Sequence, residues 1–251
     1  MLIFSCIKVR FNLKCRKGKA MANIRKASET EAIRKRIFLS AARLFIEKGY
    51  EQTSVKEISE VAGVPANTVF YEMKSKEDIL CGLVAYFLDG INSAAFSCVN
   101  SFTQDKLFYY VADVCLQLYM AELSEDMRNL YLAAYSLPKT GEAVLKKRTE
   151  MVKNLLTDSL PQLETKDYYE IEVASMGIMR GYITVASDMY FTLQTKVKRC
   201  IEALLLIYRF SDERIAEALE FIGRFDFEKT AKEAVDRVFR EFEIRKDEIF
   251  K

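Results

Sequence analysis

Residues 53–80 read TSVKEISEVAGVPANTVFYEMKSKEDIL, and the placing of serines, glycine and proline in that stretch decides the fold. Ser54 with Glu57 three residues on is a capping box, so a helix begins just after the serine. Val55, Ile58, Val61 and Ala62 give that helix an apolar side, and Gly63 breaks it. Pro65 starts the next helix, because its φ is already helical and it has no N–H to lose. Ser75 with Asp78 repeats the cap, and Glu77 beside it complements the helix dipole. In the middle helix Val69 and Met73 lie four apart and must face inward, since otherwise the segment has no core. At about 100° per residue, Asn67 and Tyr71 then stand opposite, with Thr68 and Phe70 on the flanks.

Working outward, Ile33, Ile37, Ala41, Leu44 and Phe45 form one apolar stripe over Thr30 to Lys48. Gly49 supplies the left-handed residue that ends that helix, and Tyr50 folds back as its apolar clasp. Three helices in about 50 residues, with a glycine turn between the second and third, is the spacing of a helix-turn-helix. Its third helix enters the major groove while the second crosses the backbone.

These residues carry a resemblance. Ala41-Ala42-Arg43-Leu44-Phe45 through Gly49-Tyr50, Thr53-Ser54-Val55 with Ile58, Ala62-Gly63-Val64, then Phe70-Tyr71 with Lys74-Ser75-Lys76-Glu77 resemble the N-terminal domain of TetR-type transcriptional regulators. The likeness spans roughly residues 30–80 without gaps. It implies an all-α protein: a three-helix head joined by a continuous helix to a larger C-terminal helical bundle. It implies a dimeric regulator, a repressor, that binds a near-palindromic operator in double-stranded DNA and responds to a small-molecule effector. Carried over residue by residue, Thr53 and Ser54 meet phosphate at the start of the second helix, and Lys76 does so at the start of the fourth. Ala66, Asn67, Thr68, Phe70, Tyr71 and Lys74 belong to the recognition element, with Asn67, Thr68 and Tyr71 at positions that usually meet base edges or nearby phosphates. The sequence departs from the family at Phe70, where a tyrosine hydroxyl commonly grips phosphate. It departs again at Asn67, where glycine is frequent and an asparagine can contact adenine in bidentate fashion.

Composition sets the outer bounds. Half of the 251 residues are apolar, with 9 glycines and 3 prolines, which favours helix over turn-rich β folds. No run is read as a membrane span. Histidine is absent and the six cysteines form no CxxC pair, so neither a Cys/His zinc site nor an imidazole triad has support, and no metal or cofactor is expected. The thiols read as reduced residues of a cytoplasmic protein. Residues 1–80 carry 16 Lys+Arg against 9 Asp+Glu, and residues 81–251 carry 22 against 27. Six of those basic residues belong to the first 20 positions, and residues 21–80 hold only 10 against 9, so bulk charge is a weak argument for DNA. Residues 1–27 are read as a basic leader, either an arm for DNA phosphate or the product of a start upstream of Met21. The head is then 28–80, and the ligand-binding and dimerisation body 81–251.

Beyond the head, helices are expected at about 105–123, 125–136, 139–160, 167–192, 195–209, 212–223 and 227–248. The fourth helix should run from the head into the body without a linker, along Leu80, Leu83, Val84, Phe87 and Ile91. Tyr119, Tyr135 and Met176 are the candidate lining of an effector pocket, against the alternative that such residues are simply core. Arg180, in the apolar run MGIMRGYI, should need Glu172, Asp188 or an anionic effector as its partner. Small residues Ala174, Ser175, Gly177 and Gly181 would allow helices to approach closely at a dimer interface, and Ala203–Ile207 is central or interfacial. Catalysis has nothing to stand on, without histidine, a Gly-rich phosphate loop or paired carboxylates. The remaining alternative is a helical interaction protein whose helix-turn-helix no longer binds DNA.

Overall fold

The caps in residues 49–78 form as their chemistry requires. The Ser54 hydroxyl accepts from the Glu57 N–H at 3.2 Å, and the Glu57 carboxylate accepts from the Ser54 N–H at 2.8 Å. Gly49 and Gly63 both take positive φ, 91° and 62°, and Tyr50 folds back edge-on to Phe45 at 5.1 Å between ring centres. These devices separate α1 (Ala22–Lys48), α2 (Val55–Ala62) and α3 (Ala66–Met73). In the computed structural model, which describes residues 22–241, the chain continues as α4 (Lys76–Val99), α5 (Lys106–Ala121), α6 (Glu125–Ser136), α7 (Pro138–Leu156), α8 (Thr165–Thr184), α9 (Leu193–Ile207), α10 (Asp212–Ile222) and α11 (Phe227–Glu241). No strand occurs among the described residues. Most of the basic leader, residues 1–21, lies outside them.

The head packs α1 against α2, and α3 against α2, over Ile37, Ala41, Phe45, Ile58, Val69 and Met73. Val61 departs from expectation and is 52% exposed. The buried arc of α2 is set by Val55, Ile58, Ser59 and Ala62, and Val61 lies roughly 110° from its centre. The body is built around α5, buried along nearly its whole length and flanked by α4, α6, α7, α9, α10 and α11. α4 crosses from head to body with no break, burying Leu80, Leu83, Phe87, Leu88, Ile91, Ala95 and Val99. By length and composition alone α4 is apolar enough to cross a membrane, contrary to the reading that no run is. Its apolar residues include the stripe that packs α5 and α7, which is why a helix inside a folded bundle passes that test.

One expected helix is too long. The sequence predicts one helix over residues 167–192, but α8 stops at Thr184. The Asp188 carboxylate accepts from the N–H groups of Tyr190 and Phe191, both at 2.7 Å, which turns the chain back. The fully buried Lys196 holds the start of this connection, bonding Val185 O and Glu122.

Candidate nucleic-acid interface and body cleft

α3 presents a single outward face. Val69 and Met73 anchor it, whereas Ala66, Asn67, Phe70, Tyr71 and Lys74 are exposed and Thr68 is half-buried. Tyr71 stands 83% exposed and Phe70 53%, a large apolar display for so short a helix. Glu72 turns aside to pair with Arg34 at 2.6 Å, which ties α3 to α1 and removes a carboxylate from the outward face. Lys74 closes the helix with φ 59° and ψ −52°, and the Ser75 N–H reaches Met73 O at 2.6 Å. That is a γ-turn with positive φ, a strained conformation for a residue with a Cβ.

The expected phosphate contacts at the start of α2 are placed unevenly. Ser54 is exposed, but its hydroxyl and N–H are both engaged with Glu57. That carboxyl is drawn from 4.5 down to about 2 by Lys48 and by the Ser54 N–H and hydroxyl. Thr53 does not reach the surface: it is 2% exposed and its hydroxyl donates to Gly49 O at 2.8 Å. Its methyl-bearing side chain completes the α1–α2 corner, so a side-chain contact from Thr53 to phosphate is excluded in this arrangement. Lys76 is half-buried, and its ammonium donates to Tyr50 O at 2.9 Å and to Thr53 O at 3.1 Å while lying 4.1 Å from the Tyr50 ring centre. Lys76 therefore braces the corner under α2. The Tyr50 hydroxyl is raised to about 12, by burial first and then by Glu77.

The head is clasped to the body next to Lys76. The Glu77 carboxylate accepts from the backbone N–H of Lys139 at 2.6 Å and of Thr140 at 3.2 Å, two of the unpaired donors at the start of α7. The Lys139 ammonium reaches Asp78 at 3.2 Å. Burial opposes ionisation of Asp78, but the Ser75 hydroxyl and Lys139 prevail and hold its carboxyl below the usual carboxylate range.

The body holds a small apolar cleft of about 30 Å³, partly open to solvent. It is lined by Leu83, Phe87 and Ile91 of α4, Met127, Tyr131 and Tyr135 of α6, and Val144 of α7, among others. Of the four expected ligand contacts only Tyr135 lies in it. Tyr119 packs toward Phe227 at 6.2 Å between ring centres, and Met176 is half-buried on α8. Arg180 is exposed, not in an apolar setting. The inward arc of α8 is Tyr168, Glu172, Ser175, Met179 and Ile183, and Arg180 stands roughly 100° off it. Glu172 partners a different arginine.

That residue is Arg148, which sequence reasoning missed. It is 2% exposed and donates to Asp113 at 2.9 Å and Glu172 at 3.1 Å. Gln117 donates to Asp113 at 2.8 Å, and the hydroxyls of Tyr135 and Tyr208 donate to Gln117 and Glu172, each at 2.7 Å. Tyr135 thus belongs both to the cleft wall and to this buried network. A signal was present: Val144, Arg148, Val152 and Leu156 fall four apart, so Arg148 interrupts an apolar stripe.

With this geometry in view, comparison with known proteins is specific. Residues 37–81 match the family of bacterial regulatory proteins named tetR. The chain is 22% identical over 198 residues to the HTH-type transcriptional regulator AcrR of Shigella flexneri, covering 72% of this chain and 91% of that one. It is 34% identical over 83 residues to YttP of Bacillus subtilis strain 168, described as a probable HTH-type transcriptional regulator, over 32% of this chain and 40% of that protein. The crystal structure of RolR with its ligand resorcinol superposes with a TM-score of 0.59 at 18% identity, covering 79% of this chain and 97% of that one, which establishes the shared fold. Residues 37–81 thus form a tetR-type helix-turn-helix head, the described residues are all-α, and the chain as a whole is similar to transcriptional regulators built that way. Its relatives are regulators and not enzymes.

Proposed function

We propose that this protein is a repressor that binds a near-palindromic operator as a homodimer in the cytoplasm and releases it when a small molecule enters the body. The carrying observation is the outward face of α3, where Asn67, Phe70, Tyr71 and Lys74 stand clear of a helix whose inward side is anchored by Val69 and Met73. In this reading residues 28–80 are the DNA-binding unit and residues 81–251 the effector and dimer unit. Asn67 and Tyr71 read the groove with Thr68 beside them, Ala66 lets the backbone approach, and Lys74 and Ser54 neighbour phosphate. Lys76 acts from below, by fixing the corner that presents α2.

The dimer is supported by the outer side of α8, where Tyr169, Val173, Ala174 and Gly177 are exposed, and by Leu206 on α9. Ser175 faces inward, so the small-residue surface consists of Ala174, Gly177 and Gly181. An effector response is supported by the cleft between α4, α6 and α7, and RolR is a protein of the same fold crystallised with a small ligand.

The test is selection of bound duplexes from a random pool, followed by gel shift on the selected site. Asn67→Ala and Tyr71→Ala should change site preference and leave the melting temperature in place. Thr53→Val should lower stability and not affinity. A second reading, a helical interaction protein with a silent head, draws on the internal engagement of Ser54, Thr53 and Lys76. Recovery of no preferred sequence at low salt would select it.

A further inference from the structure

We infer that α3 selects A·T pairs: Asn67 takes an adenine edge, and Phe70 takes the methyl group of a thymine on a neighbouring pair. This rests on the regulator reading and adds to it the bases that the head prefers.

The reading face is narrow. Phe70 and Tyr71 follow Asn67 by one turn, so the three share about 100° of helix surface. All three are exposed and turned away from the buried Val69 and Met73. Side chains three or four residues apart on a helix start roughly 5–6 Å from each other, and bases along a strand are about 3.4 Å apart. Asn67 and Phe70 can therefore meet neighbouring pairs at once. Asn67 lies in the first turn of α3, the part of a recognition helix that meets base edges.

The chemistry of that face chooses the pair. In the major groove adenine shows an acceptor, N7, beside a donor, the N6 amino group, and an asparagine amide matches both. Thymine carries a methyl group that an aromatic ring can cover. Phe70 is 53% exposed and its side chain has no polar atom, so covering that methyl removes apolar surface from water and strands no polar group.

The readers of G·C are missing or withheld. Guanine shows two acceptors, N7 and O6, and is commonly read by arginine or lysine. Residues 63–74 contain no arginine, and their single lysine, Lys74, lies beyond the last residue of α3, at the end remote from its base-contacting turn. Cytosine offers the N4 donor, which a carboxylate accepts. The single carboxylate of this segment, Glu72, is held by Arg34 at 2.6 Å. The hydroxyls of Thr68 and Tyr71 can donate or accept, so they favour neither kind of pair.

The test uses duplexes selected from a random pool by the full chain, with single bases of the selected half-site then replaced. Deoxyuridine in place of a thymine removes only the methyl group, and 7-deazaadenine in place of an adenine removes the N7 acceptor. Gel shift should find one thymine whose demethylation weakens binding about four-fold. It should find a neighbouring adenine whose 7-deaza analogue weakens binding about ten-fold. In Phe70→Ala the thymine should lose its sensitivity while the adenine keeps its own, and in Asn67→Ala the reverse. Phe70→Leu, still apolar, should keep part of the methyl effect, which a purely structural role for the ring would not produce. Melting temperatures of the three variants should match the wild type, because both positions are exposed.

A selected half-site with no thymine sensitive to demethylation overturns the assignment to Phe70, as does sensitivity that persists in Phe70→Ala. A deaza effect that persists in Asn67→Ala, or that falls on guanine and is lost in Asn67→Ala, overturns the assignment to Asn67. Recovery of no preferred sequence would overturn the regulator reading and this assignment together. A preferred sequence that fails the analogue tests overturns this assignment alone.

Discussion

The head and the body treat charge in opposite ways. In the head the ion pairs sit at the surface or its margin, as with Arg43–Glu47, Lys48–Glu57 and Arg34–Glu72. In the body Arg148 is sunk among Asp113 and Glu172, and Lys196 is buried against Glu122. The head is a small unit whose shape comes from caps and turns, and its surface has to remain open to a partner. The body is large enough to bury ions, provided every one is paired, and its geometry depends on contacts between helices far apart in sequence.

The strongest way to break this comparison is to remove one member of the buried set. Arg148→Ala leaves two carboxylates without their cation and should destabilise the body by about 3–5 kcal/mol in urea unfolding. A loss under about 1 kcal/mol would mean that the network is not as dry as its burial implies. The counterpart in the head is Tyr71→Ala, which should leave stability within about 0.5 kcal/mol. On the selected operator it should cost about 1–3 kcal/mol of binding in gel shift.

Backbone devices come next in size. Ser54→Ala removes the cap of α2 and should cost about 1 kcal/mol of stability, measured by thermal melting. Lys74→Gly should move the other way, gaining a few tenths of a kcal/mol by relieving a positive-φ turn. Its operator affinity should fall, through the lost charge on the α3 face. A gain in both quantities would remove Lys74 from the DNA surface.

The smallest effect is on acidity. Because Glu57 is drawn from 4.5 to about 2 in the folded head, the help it gives α2 is complete above pH 4.5 and is lost as pH falls through about 2. The Ser54 and Glu57 amide resonances should therefore shift together between those limits. A midpoint near 4.5 would show that the capping box is open in solution.

Legibility followed the range of the interaction. Ser54, Gly49, Gly63 and Ser75 act within four residues of themselves, so their roles could be read directly, and every one forms its cap or turn. The orientation of α3 was also legible, because a helix of eight residues with two apolar anchors has only one way to sit. Arg180 and Arg148 mark the limit. The first has apolar neighbours in sequence yet lies on the open side of α8; the second sits in the polar run KKRTE yet is inside. Which of two arginines is buried depends on which arc of each helix meets another helix, and local composition does not carry that. Thr53 failed for a related reason: it lies just before the cap of α2, but packing at the α1–α2 corner turns its hydroxyl inward.

By itself the sequence determined the succession of helices, the caps that separate them and the bare face of α3, since each of these is settled over a turn or two of chain. Only the tertiary structure decided that Lys76 braces the head from beneath, that Glu77 fastens it to α7, and that an apolar cleft lies between α4, α6 and α7. Those features join residues between 23 and 63 positions apart, and their energy exists only once the helices have met.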